Sequence, residues 1–168
     1  DTSAQITQKI ESAILILAQR LLGCSHAIII GIHPSIQVLS PLALAGFSPQ
    51  QEQHLRTGLT GAHLSLLIND PGNVALLEKQ ESGPFTITDS PLLPYLSPLS
   101  SSPNCYLVPI YVAHHLIGLF GIMFPEKTSL RNLGGISLIS TISKLCALVL
   151  QYEQQATEQD RLAAAKIL

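Results

Sequence analysis

The adjacent histidines His114 and His115 are the pair in this sequence best suited to metal or haem binding, because imidazole nitrogens are common ligands for both. They separate two apolar, β-rich runs, Tyr106–Val112 and Leu116–Phe124. Neighbouring residues on a strand point to opposite faces, so one metal ion would not readily take both as ligands. We therefore expect the two histidines to be exposed at the tip of a β-hairpin, with no metal site there.

The other residues capable of chemistry are scattered. Cys24, Cys105 and Cys146 form no CxxC pair, and their odd number and wide spacing argue against a disulfide framework or a zinc site. Buried thiols in a reducing, cytoplasmic compartment are the expectation. Asp70 before Pro71 and Asp89 before Ser90 are typical of turns or caps. Nucleophile-elbow, phosphate-loop and dinucleotide motifs are missing, so we predict that the segment is not an enzyme.

Composition excludes several classes of partner. The 168 residues carry a formal charge of −2, which offers no basic surface for nucleic acid. Charged residues make up 12% of the chain, about half the usual share, so some apolar surface is expected to meet a partner. Apolar runs are too short for membrane insertion, which takes about 20 residues. Residue 1 is Asp and the only Met is Met123, so we expect the segment to be excised from a longer protein.

Helical periodicity predicts a long helix at each end of a single domain, 1–168. An amphipathic helix is expected over 1–23, ending at Gly23, and a longer helix over 132–168, whose part after Gln151 is polar. Residues 27–124 are expected to form the sheet and a crossover. The strands predicted there are Ala27–Ile32, Ile36–Ala45 (broken at Ser40-Pro41) and Pro84–Thr88. Three helices are also predicted: one capped by Ser48 and running to Arg56, a short one at His63–Ile68, and one from a cap at Asn73 to Lys79.

Two segments of the predicted hairpin resemble the hallmark of the GAF family of sensory domains. They are Leu107-Val108-Pro109-Ile110 and Leu116-Ile117-Gly118-Leu119-Phe120-Gly121-Ile122, and Pro84–Asp89 also resembles the strand before the family's ligand-facing loop. The resemblance implies an α+β, GAF/PAS-like fold. It has a central antiparallel sheet of about five to six strands, terminal helices on one face, and a crossover of loops and short helices on the other.

The residues that carry the resemblance could either allow the helices to pack on the sheet or contact a ligand, and both roles are open. Pro109 cannot donate to a strand ladder, and Gly118 and Gly121 leave room for a helix or a ligand to approach the sheet. The resemblance places a small-molecule pocket between the sheet and the crossover Leu59–Leu99. Candidate ligand-binding residues there are Asn69, Thr86, Thr88, Tyr95, Tyr106 and Tyr111. Tyr106 follows Cys105 where bilin-binding members have His, so no covalent bilin is expected.

The resemblance implies a regulatory sensor that binds an unidentified small molecule and signals through its terminal helices to an output domain, such as the histidine kinase of a two-component system. The alternatives are a pocketless dimerisation spacer and a haem-based gas or redox sensor. The apolar stripes on the terminal helices are wider than packing on one sheet requires, which predicts a homodimer. Its expected interface residues are Ile6, Ile10, Leu17, Ile142, Leu145 and Val149.

Overall fold

The computed structural model describes residues 2–80, 83–86, 105–125 and 135–167. Four α-helices, five strands and a 3-10 helix follow one another along these residues. They are α1 (Ser3–Leu22), β1 (His26–Ile32), β2 (Leu39–Ala45), α2 (Pro49–Leu59), the 3-10 helix (Leu64–Leu66), α3 (Pro71–Glu78), β3 (Phe85–Thr86), β4 (Cys105–Val112), β5 (His115–Met123) and α4 (Gly135–Ile167).

The strands form one antiparallel sheet in the order β2-β1-β5-β4-β3. The β4–β5 hairpin lies near its centre, with Val112 opposite His115 and Cys105 opposite Met123. This sheet, with its flanking helices, confirms the predicted fold class. β2 continues through Ser40-Pro41 instead of breaking there, because a register shift beside Ile29 absorbs the proline.

Side-chain caps set the helix boundaries. Thr2 and Ser48 each form a capping box, at α1 and α2, and Gly23 ends α1 in the left-handed conformation. The cap of α3 is Asp70, whose carboxylate accepts from the Asn73 backbone N–H. The prediction of Asn73 as that cap is wrong, because Asp70 followed by Pro71 starts the helix three residues earlier. α2 also runs three residues beyond Arg56, to Leu59.

Each face of the sheet has its own apolar core. One core lies under α1 and α4 and includes Leu15, Ala18, Ile29, Phe120 and Ile142. The other lies under the crossover and includes Ile28, Leu55, Leu59, Leu67 and Leu107. The two terminal helices therefore share one face, and α2, the 3-10 helix and α3 cover the opposite one, as the resemblance implies.

Gly118 serves the close packing of α4. A Cβ atom there would lie 2.7 Å from Leu150 Cδ1 of α4 and 2.8 Å from the Ile30 carbonyl oxygen of β1. Of the two roles left open for this glycine, the geometry supports the framework role. Pro109 lies beyond the described part of β3, which pairs only with Tyr106 and Leu107.

Candidate functional site

α3 is the described crossover helix that rests on the sheet through polar contacts. None of its residues is fully buried, although Val74 and Leu77 pack against the crossover core. The Asn73 side-chain amide donates to the Thr86 carbonyl oxygen at 2.9 Å, which joins α3 to β3. The Tyr111 hydroxyl donates to the Leu77 carbonyl oxygen at 3.3 Å, which joins it to β4. A change in the position of α3 would therefore reach both strands directly.

The tip of the β4–β5 hairpin is tied to the end of the same helix. Ala113 and His114 have φ of 49° and 66°, as in a two-residue type I′ turn. Gln80 Nε2 donates to the His114 carbonyl oxygen at 2.9 Å, and Gln80 Oε1 lies 3.0 Å from His114 Nδ1. His114 and His115 are exposed, as predicted. Among the described residues, no group of three or more His, Cys, Asp or Glu is arranged to hold a metal ion.

The structure does not gather the four described residues of the predicted ligand-binding set into one pocket. Asn69 and Thr86 are exposed, and Tyr111 is half-buried with its hydroxyl on α3. Thr88 and Tyr95 lie outside the described residues. Burial raises the pKa of Tyr111, so its hydroxyl stays protonated and keeps its role as a donor.

Tyr106 lies on the opposite face of the sheet from the crossover, which corrects its predicted role. It packs against the core under α1 and α4, and its ring meets that of Phe124 edge-on, with centroids 6.1 Å apart. Its neighbours Cys105 and Leu107 belong to the crossover core, because side chains alternate along a strand. Tyr106 therefore cannot line a pocket beneath the crossover.

A cavity of about 270 Å³ lies between β4 and α4, on the helix side of the sheet edge. Val108, Ile110 and Ile139 supply apolar walls, and Ser143 and Lys144 supply polar groups from α4. The Ser143 Oγ atom is buried and has no hydrogen-bond partner among the described residues. An apolar cavity with a few polar groups is the usual form of a small-molecule site, and this volume is just below the usual range.

All three cysteines are buried, as predicted. Burial raises the thiol pKa of Cys24 to about 11 and those of Cys105 and Cys146 to about 12. Because the thiolate is the reactive form, the three side chains act as packing groups at neutral pH.

α1 is apolar on two sides. Its core-facing stripe is apolar at the buried Ile14, Ala18 and Leu22, and it continues toward the N-terminus as the buried polar residues Glu11 and Thr7. A second stripe is exposed and made of apolar residues spaced by three and four: Ile6, Ile10, Ala13, Leu17 and Leu21. The predicted interface residues Ile6, Ile10 and Leu17 all belong to this exposed stripe.

α4 also carries an exposed apolar stripe, but one predicted interface residue lies elsewhere. Ile142 is 1% exposed and packs inside the domain core, so it cannot contact a second copy; this prediction is wrong. Leu145 is exposed and Val149 is half-buried. The sequence reasoning missed Leu148, which is 63% exposed, and Tyr152 one turn further on. Their spacing after Leu145, three and then four residues, is the signal that would have identified them.

Within the described residues, α4 is long enough and apolar enough to cross a membrane, judged by its length and hydropathy alone. Its residues Ile139, Ile142, Cys146 and Leu150 lie in the core against the sheet. Only 28% of its most apolar window is buried within the domain, which leaves an apolar surface without a partner in this subunit.

Solved structures with the same architecture include GAF domains and a domain of a two-component sensor histidine kinase. The GAF domain/HD domain protein from Geobacter sulfurreducens has 15% identity and a TM-score of 0.66, over 88% of this chain and 94% of that one. The phycocyanobilin-bound GAF domain from a cyanobacterial phytochrome has 19% identity and a TM-score of 0.58, over 89% and 87%. A domain from a protein described as a two-component sensor histidine kinase of Sinorhizobium meliloti 1021 has 13% identity and a TM-score of 0.55, over 90% and 95%.

No protein-family model and no curated protein matches the sequence. The structural likeness, at these identities, concerns the fold. The chain therefore has the fold of GAF domains, with five antiparallel strands between a pair of terminal helices and a crossover.

Proposed function

We propose that this domain is a non-enzymatic regulatory sensor that pairs with a second copy of itself through α1 and α4. The observation that carries the proposal is that both helices bury one apolar stripe against the sheet and expose another. A surface helix that serves only its own core has a single apolar face. The second stripe therefore calls for a partner.

A second copy is the partner that this surface fits best. The exposed stripes of α1 and α4 belong to two helices that pack on the same sheet face, and a twofold axis would bring four such helices together as a bundle. The proposed interface keeps Ile6, Ile10, Leu17, Leu145 and Val149, loses Ile142, and gains Leu148 and Tyr152. Beyond Ala156, α4 continues as an exposed and mostly polar helix to Lys166, which offers a direct connection to an output domain.

The sensing half of the proposal concerns a small molecule. Support comes from the phycocyanobilin-bound relative in fold and from the domain described as part of a sensor histidine kinase. In this chain α3 would respond to the ligand, because it contacts β3 and β4 through one hydrogen bond each, and Gln80 just after it contacts the hairpin tip. The signal would then pass through the sheet to α4. A cytoplasmic location and a histidine kinase output belong to the same proposal.

A pocketless dimerisation spacer is the second candidate. It is favoured by the dispersal of the predicted ligand-binding residues, two of which are exposed while Tyr106 lies on the helix side of the sheet. In that case the domain would act only by dimerising through α1 and α4, and the crossover core would only stiffen the sheet.

Replacement of Leu148 by Glu tests the dimer. Leu148→Glu places a charge in the middle of the proposed interface, and we expect sedimentation equilibrium to give the monomer mass where the parent gives twice that mass. Leu66→Glu is the matched control, because Leu66 is also an exposed leucine but lies in the 3-10 helix of the crossover. A dimer that survives Leu148→Glu, or a parent that is monomeric at high concentration, would refute this interface.

Native mass spectrometry of the purified domain separates the sensor from the spacer. The sensor predicts an added small-molecule mass that is lost on denaturation. The spacer predicts the bare protein mass, together with no thermal stabilisation by a metabolite library. A dimer without any ligand would favour the spacer and leave the interface intact.

A further inference from the structure

Glu11 is an acidic residue in the core-facing stripe of α1, and it is 3% exposed. Across the contact between the terminal helices lies Glu153 of α4, a half-buried acid. One carboxyl oxygen of each residue, Oε2, is buried and has no hydrogen-bond partner. The contact between α1 and α4 thus changes from apolar at Ile14 to acidic at Glu11.

Two carboxyl groups in contact inside a protein do not both ionise at low cost, because like charges repel and burial removes water. Burial is the larger cause here and the Glu153 charge the next, and together they raise the pKa of Glu11 from 4.5 to about 8. A hydrogen bond between the two carboxyl groups contributes as well, and it requires that one of them be protonated. The Glu11 carboxyl group therefore keeps its proton at neutral pH.

Among the described residues, no cation lowers the pKa of Glu11. Cys146 of α4 also faces Glu11, and its thiol is protonated at neutral pH. Glu153 lines an open groove of about 680 Å³, which His33 from the start of the β1–β2 connection and Glu158 of α4 also line. Arg161, one turn beyond Glu158, forms its ion pair with that residue. The described residues contain no third acidic, His or Cys ligand that would complete a metal site with the pair. The occupant that fits is a proton.

We propose that Glu11 and Glu153 form a proton-binding latch between α1 and α4. With a proton shared, the two carboxyl groups hold the helices together. When that proton is lost, two negative charges face each other in the contact, and the helices are driven apart at this point. That the change would reach an output domain along α4 rests on the proposed function; the latch itself does not.

The sign of the pH dependence follows from linkage. The folded domain binds the Glu11 proton more tightly than the unfolded chain, whose carboxyl titrates near its ordinary value of 4.5. Stability from this group is therefore complete below pH 4.5 and falls as the pH rises to about 8. Each pH unit inside that window lowers the folding equilibrium constant by at most about tenfold. We expect at least a thirtyfold loss, allowing for solvent access through the groove.

Urea unfolding of the parent domain and of Glu11→Gln between pH 5 and pH 9 tests the latch. Glutamine mimics the protonated side chain, so the two proteins should be similarly stable at pH 5, and the variant should be the more stable above pH 8. The difference between the two curves isolates Glu11 from other titrating groups. Glu78→Gln, which removes an exposed carboxylate at the end of α3, should follow the parent curve. Measurements at two protein concentrations separate any contribution from dimerisation.

The Glu11 carboxyl carbon, followed by NMR in the folded parent domain, provides a second readout. We expect its resonance to report a titration between pH 7 and pH 9. The midpoint of that titration should move back toward 4.5 when Glu153→Gln removes the facing charge. If Glu11→Gln does not fold, this titration alone decides. Titration of Glu11 near 4.5 in the parent, or identical pH slopes for the parent and Glu11→Gln, would overturn the proposal. A monomeric domain with a titrating pair would instead refute the dimer and keep the latch.

Discussion

Replacement of Gly118 by alanine should destabilise the domain, because α4 and β1 leave no space for a methyl group. Gly118 of β5 lies opposite Gly31 of β1 on the face covered by α4. A Cβ atom at Gly118 would be 2.7 Å from Leu150 Cδ1 and 2.8 Å from the Ile30 carbonyl oxygen. The leucine can rotate, but the carbonyl belongs to the backbone of β1 and moves only with the strand. The substitution must therefore shift either β1 or β5.

The expected cost is the balance of two effects. Overpacking of a close-packed core costs about 1–3 kcal/mol. Alanine also reduces the conformational freedom of the unfolded chain relative to glycine, which returns about 0.4–1 kcal/mol. We expect a net loss of about 1–2 kcal/mol in the free energy of unfolding. With a urea dependence of about 2 kcal/mol per molar, the unfolding midpoint should fall by about 0.5–1 M.

Gly31→Ala is the matched control for this substitution. Its added Cβ would meet the end of a flexible side chain, Leu42 Cδ1, at 3.1 Å, and the nearest backbone atom, the Ser40 carbonyl oxygen, at 3.6 Å. Leu42 can give way, so we expect a change within about 0.5 kcal/mol, as is usual away from tight contacts. Equal losses for the two variants, or a neutral Gly118→Ala, would refute the argument that close approach of α4 and β1 selects glycine at this position.

Two further outcomes are expected. Ser48→Ala removes the capping box of α2 and should cost about 1 kcal/mol in urea unfolding, while Ser48→Asp, which keeps a cap, should cost less. The thiols of Cys24, Cys105 and Cys146 should not react with an aromatic disulfide reagent at pH 7 in the native domain, because burial keeps them protonated. All three should react in urea. Rapid labelling of any of them in the native domain would contradict this.

The features that sequence alone predicted are the local ones. The β4–β5 hairpin was predicted from two apolar runs separated by three residues, and the cap at Ser48 from its spacing to Gln51. Each depends on residues a few positions apart, so the pattern and its cause lie in the same short segment. The exposure of His114 and His115 follows from the same local geometry.

The candidate site was harder to predict because it depends on which face of the sheet each strand residue occupies. β4 is apolar on both faces, since cores lie on either side, so its sequence lacks the polar alternation that would assign Tyr106 to one of them. The contacts of α3 join residues such as Gln80 and His114 that are far apart in sequence. No local pattern records these pairings.

α1 shows the same limit, and it provides a sharp test. Ile10 and Ile14 are one turn apart and belong to a single stripe in the sequence, yet Ile14 is 7% exposed and Ile10 is 43% exposed. Ile14→Ala should therefore cost about 2–4 kcal/mol of unfolding free energy by leaving a cavity in the core. Ile10→Ala should cost less than about 1 kcal/mol in the monomer, measured in the Leu148→Glu background, but should weaken the dimer of the parent domain. Equal costs in the monomer would mean that α1 is rotated from the position described, and the outward stripe, the interface and the Glu11 latch would then all lose their basis.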